Sequence, residues 1–153
     1  MRNPLILNYD QNLQSLVVFA SNVWSQTSVT TPTMFRNDDY ELTLQVFSDS
    51  STTPATQANL AAINTASLVL DVGNLGVKAI LSSNSASFTT ANLASGQLTC
   101  TINTHSANLT ASILTMPLKS YYMQIVGEDN SVGNTQQIMV TPLIIRNTIG
   151  TGS

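Results

Sequence analysis

Charge is scarce in this chain: Asp, Glu, Lys and Arg together make up only 8% of its 153 residues. The five cations, Arg2, Arg36, Lys78, Lys119 and Arg146, stand singly along it, whereas gripping a phosphate backbone takes clustered Lys and Arg. Nucleic acid is therefore not an expected partner. Cys100 is the sole cysteine and His105 the sole histidine, so one chain can neither close an internal disulfide nor assemble a His/Cys zinc site. No apolar run nears the roughly 18 residues of a membrane span. The opening MRNPLILNYDQNL also lacks the apolar stretch and small-residue cleavage site of a secretion signal, so synthesis in a cytoplasm is expected. G-x-G-x-x-G, G-x-x-x-x-G-K-[ST] and G-x-S-x-G are all missing, and with them the usual signs of dinucleotide, nucleotide and α/β-hydrolase chemistry.

What fills the chain instead is neutral polarity, with 62 of the 153 residues being Ser, Thr, Asn or Gln. Disordered chains combine low hydrophobicity with high charge. Here hydrophobic residues reach 42% and mean hydropathy is +0.12, so the chain should fold, at a length that suits one domain.

Period-2 alternation is the dominant pattern. In YELTLQVF, residues 40–47, Tyr40, Leu42, Leu44 and Val46 share one face and Glu41, Thr43 and Gln45 the other, as a half-buried strand requires. QLTCTIN repeats it, with Leu98, Cys100 and Ile102 inward. Further strands are predicted at SLVLDVG, VKAIL, YYMQIVG and QQIMVTPLIIR, separated by the turn formers GNLG, SSNS and EDNSVGN, the last of which joins a β-hairpin. Pro142 places the final strand at an edge or bends it. Several short strands at this spacing predict an antiparallel sandwich or barrel. THSANLTASILTMP, residues 104–117, predicts one short helix that Pro117 ends. TQANLAAINTA, residues 56–66, offers a second with Leu60 and Ile63 inward, although its Ser/Thr-rich flank suits an exposed loop.

Residues 1–34 pose a separate question. They either complete the sandwich or form an arm that adds a strand to a neighbouring subunit. The candidate assembly residues are Leu5, Leu7, Tyr9, Val17, Phe19 and Trp24, with Trp24 a core or interface anchor.

Chemistry finds little footing. Asp38, Asp39 and Glu41 bunch before a strand, but a calcium loop needs about six to eight oxygens. Asp38 points away from Asp39 and Glu41 on an extended chain. They read as a solvated approach to the strand, not as a metal site or a glycosidase pair. Cys100 reads as a small core hydrophobe and His105 as a polar boundary residue. No catalytic, cofactor or metal site is expected.

In order along the chain, FRNDDYELTLQVF, INTASLVLDVGNLG, SGQLTCTINTHSANLTASI and YYMQIVGEDNSVGNTQQIMVTPLIIRNTI resemble the immunoglobulin-like N-terminal domain of siphophage upper baseplate proteins and related tail-fibre domains. The resemblance covers residues 35–149, leaving 1–34 as an N-terminal segment and 150–153 as a short tail. It implies an antiparallel immunoglobulin-like β-sandwich with one or two short helices. It also implies a non-enzymatic structural protein of the phage virion, an assembly or adaptor module of tail, baseplate or fibre. Such a protein would pair with itself, for example as a trimer, and with other virion proteins. A head fibre, a capsid decoration protein and a glycan-binding fibre module are the alternatives.

Overall fold

A computed structural model of the protein describes residues 3–27, 29–35, 38–63, 65–71, 78–81, 86–103, 118–129 and 133–146. Thirteen strands run through them: β1 (Asn3–Asp10), β2 (Ser15–Leu16), β3 (Val18–Ala20), β4 (Val23–Ser25), β5 (Thr33–Phe35), β6 (Asp39–Asp49), β7 (Thr56–Gln57), β8 (Thr65–Asp71), β9 (Lys78–Leu81), β10 (Ala86–Asn92), β11 (Gln97–Asn103), β12 (Leu118–Asp129) and β13 (Asn134–Arg146). The protein is mainly β. One sheet has the order β10-β11-β6-β1-β2 with β7 also on β6, a second has the order β5-β13-β12-β8-β9, and β3 and β4 form a hairpin of their own.

The two larger sheets share one core. Alternation in β6 buries Tyr40, Leu42, Leu44 and Val46, and alternation in β11 buries Leu98, Cys100 and Ile102. These side chains join Met123 and Ile125 of β12 and Ile138, Met139 and Leu143 of β13 in a single apolar cluster. Ile138 and Met139 are adjacent yet both fully buried, which strict alternation forbids. The cause is a β-bulge: Ile125 pairs with Met139 but Val126 with Gln137, so Ile138 is the extra residue and turns inward beside its neighbour.

The sheets are not purely antiparallel, which corrects the sequence-based expectation. β1 runs parallel to β6 over eight register pairs, and β5 runs parallel to β13. After β1 the chain makes the β2 turn and the β3–β4 hairpin and crosses to the second sheet as β5. It then returns into β6 in the direction β1 already had.

The second expected helix is also corrected, and no helix of seven or more residues occurs among the described residues. Residues 56–63 hold β7 and then a chain whose donors go elsewhere. The Ala58 N–H donates to the Val46 carbonyl at 3.0 Å and the Leu60 N–H to the Leu93 carbonyl at 2.8 Å, while the Ala61 N–H donates to the Asn59 side chain at 3.0 Å. Bonds to distant segments and an Asx turn replace the i to i−4 ladder. Leu60 and Ile63 are nevertheless buried, as the apolar spacing suggested. The other expected helix, with His105, lies outside the described residues.

Gly96 closes this corner. The Val46 N–H donates to its carbonyl at 2.8 Å, and it takes φ +73° after the short 3-10 turn Leu93–Ser95. A Cβ there would sit 2.4 Å from the Val46 carbonyl oxygen and 2.8 Å from that of Ala58, so both the conformation and the space demand glycine.

Pro142 lies within β13, and the register explains why it is tolerated. The Ile144 N–H donates to the Pro32 carbonyl at 2.9 Å, on the side away from β12. Pro142, two residues earlier, would aim a donor the same way, at a point where β5 has not yet begun. Its missing N–H removes no ladder bond.

Candidate binding surface

On β6, Phe47 falls out of phase with the buried residues before it and lies on the outward, polar face, yet it is only 6% exposed. The β3–β4 hairpin covers it. Ser21 and Asn22 join the two strands with φ of 54° and 65°, the two positive values that a type I′ turn needs. This turn sets Phe19 opposite Trp24. The Trp24 ring packs tilted against Phe47 at 4.9 Å and against Phe19 at 5.2 Å between centroids, offsets that suit aromatic quadrupoles. Phe19 and Val23 remain more than half exposed.

Beside the hairpin runs the loop from Ser50 to Ala55. Asp10, buried at the end of β1, fixes its start: one carboxylate oxygen accepts both the Ser50 N–H at 2.9 Å and the Ser50 hydroxyl, and the other accepts the Leu13 N–H at 3.0 Å. Burial pushes the Asp10 carboxyl up, but these donors outweigh it and hold the group below its ordinary value. Asp49 then accepts the Ser51 N–H at 2.9 Å and the Ser51 hydroxyl at 2.6 Å. Between loop and hairpin lies an open cavity of about 460 Å³, with Phe19, Asn22 and Trp24 on one side and Ser51, Thr52 and Thr53 on the other.

Elsewhere, neutral polar pairs mark the outer faces of the sheets. Gln97 donates to Gln45 at 3.1 Å, and Gln45 donates to the Ser95 carbonyl at 2.8 Å. Thr43 and Thr99 are register partners on the same face. On the second sheet Gln124 donates to Gln137 at 2.8 Å.

The structure divides the candidate assembly residues. Leu7, Tyr9 and Val17 are buried within the chain, and Leu5 packs partly buried against the core. Only Phe19, exposed, and Trp24, half-buried, face the cavity. Sequence reasoning missed Ile6, which is 70% exposed. The inward alternation of Leu5, Leu7 and Tyr9 was the signal that could have placed it outward. It also missed Phe47, whose place among Glu41, Thr43 and Gln45 marked a covered spot on a polar face.

Asp38 and Asp39 are partly buried and Glu41 exposed at the start of β6. Among the described residues no group of three or more His, Cys, Asp or Glu could hold a metal ion, and no helix is long and apolar enough to cross a membrane. Burial alone pushes the Cys100 thiol up to about 12, which leaves it inert as a nucleophile. The arrangement is suited to binding through shape, aromatic faces and neutral hydrogen bonds. No protein-family model matches the chain, and no curated protein sequence does either.

Proposed function

We propose that this protein is a non-enzymatic structural module of a bacteriophage virion, an immunoglobulin-like β-sandwich that assembles with copies of itself and with tail, baseplate or fibre proteins. Support for the fold comes from strand order. β6 stands with β11 and β10 in one sheet, and β13, β12, β8 and β9 follow one another in the other. In immunoglobulin terms these are strands B, E and D facing G, F, C and C′. β1 occupies the place of strand A, but runs parallel to its neighbour.

The observation that carries the assembly reading is the outer edge of β1. β2 pairs only with Tyr9 and Asp10, so among the described residues no strand covers Asn3–Leu7, where Ile6 is 70% exposed. An open edge is a template for strand addition by a neighbour. The low charge of the chain fits, since interface cores are depleted in Lys, Glu and Asp.

Light scattering on the purified protein, with immunogold labelling of phage particles, tests the reading. The expected result is a defined oligomer and labelled particles, with Ile6→Lys shifting the oligomer toward monomer because a charge on an edge opposes pairing. A monomer at every concentration together with unlabelled particles would overturn it.

A further inference from the structure

We infer that the cavity between the β3–β4 hairpin and the Ser50–Ala55 loop is a binding site for a neutral saccharide. The inference stands apart from the assembly reading, which concerns the outer edge of β1.

Three features of the cavity carry it. Its lining holds no ionisable side chain, and its volume of about 460 Å³ falls within the ~300–1,000 Å³ of ordinary ligand sites. Nothing in it would neutralise a charged ligand, which argues for an uncharged one. Secondly, Phe19 and Trp24 form a tilted pair with centroids 5.2 Å apart, and Phe19 is 57% exposed. An accessible aromatic face offers a negative quadrupole to the polarised C–H groups of a sugar ring. The pair is held from below by Phe47 and by a two-residue turn, so little ordering is required on binding.

The third feature is the direction of the loop's hydroxyl protons. Ser51 donates its proton to Asp49 at 2.6 Å. Thr52 Oγ1 lies 2.9 Å from the Pro54 carbonyl oxygen, which can only accept, and 2.8 Å from Thr56 Oγ1, which then donates to it. With those protons turned into the protein, the Ser51 oxygen offers its lone pairs as acceptors, and Thr52, which accepts from Thr56, offers its remaining one. The complementary ligand is one rich in hydroxyl donors. The Asn22 side-chain amide, across the cavity, supplies both a donor and an acceptor for the bidentate pairing that adjacent sugar hydroxyls allow. Apolar ligands would leave these groups without partners, a cost that selects against them.

The full-length protein should be screened against an array of neutral and acidic glycans, and hits titrated in solution by the emission of Trp24, the only tryptophan in the chain. At least one neutral saccharide should give a saturable change in emission. Phe19→Ala should weaken it about tenfold, the scale of one lost aromatic contact. Asn22→Gly should also weaken it, since glycine keeps the positive φ of the turn while removing the amide. Thermal unfolding of both variants, followed by circular dichroism, separates lost binding from lost fold. Binding of no saccharide, binding of acidic glycans alone, or binding that folded variants leave unchanged would each overturn the assignment.

Discussion

At Asp10 a single carboxylate joins segments forty residues apart, accepting from the chain just beyond β1 through Leu13 and from the loop after β6 through Ser50. It is buried, so ionisation there is sustained only because several donors converge on it. Its folded pKa is lowered, and the sign of the pH effect follows. Such a group contributes stability that is fully present above the unfolded value of about 3.9 and is lost as pH falls through the folded one. Asp10→Asn would turn an amide N–H₂ toward at least one of these donors, so it should cost roughly 1–3 kcal/mol at pH 7. As pH falls below the unfolded value and toward the lowered folded one, the difference from wild type should shrink progressively, because the advantage of the native charge is then lost. Urea unfolding of both proteins at pH 7 and pH 2.5 checks this; an equal gap at both would show that the charge is not what anchors the loop.

At the scale of elements, β1 and β5 decide whether the N-terminal segment belongs to the body of the fold. Residues 1–34 contribute Leu7, Tyr9, Leu16 and Met34 to the shared core, and β1 covers the edge of β6 from Tyr40 to Phe47. Each large buried side chain is worth ~1.5–3 kcal/mol, so the four together rival the ~5–15 kcal/mol net stability of a typical domain. A chain beginning at Phe35 should therefore show no cooperative thermal transition by circular dichroism; a sharp melt would mean that the remainder holds together without β1. The strands β6 and β11 were legible because one face is buried and the other wet, which writes alternation into the residues. β1 was harder to read: PLILNYD is apolar on both sides of the chain because Ile6 stays exposed on an open edge. Its parallel direction is a matter of long-range return, which no local pattern encodes. The bulge at Ile138 hid behind a continuous apolar run, and residues 56–63 imitated a helix because Leu60 and Ile63 are buried at a helical interval by a turn. The cavity was half visible, through Trp24 and Phe19. Its other half, the Ser50–Ala55 loop, is placed by a buried carboxylate forty residues earlier in the chain.

For the molecule as a whole, the question is whether the two sheets part only when everything unfolds, and Cys100 can report on it. The thiol lies on the central β11, between β10 and β6, is 1% exposed, and is pushed up to about 12 by burial. Reagent cannot reach it by fraying of an outer strand, since its face is closed by side chains of the second sheet. Labelling should therefore require the global opening, whose population is set by the net stability. With at least ~5 kcal/mol of stability, reaction with an aromatic disulfide at pH 8 should be about a thousandfold or more slower than for the urea-unfolded chain. In the limit where refolding outpaces labelling, the rate should rise with added urea with the full m-value of equilibrium unfolding, because the same surface is exposed in both processes. A native rate that is independent of urea would instead mean that a local motion bares Cys100. In that case the core formed by β6, β11, β12 and β13 would not act as one cooperative unit.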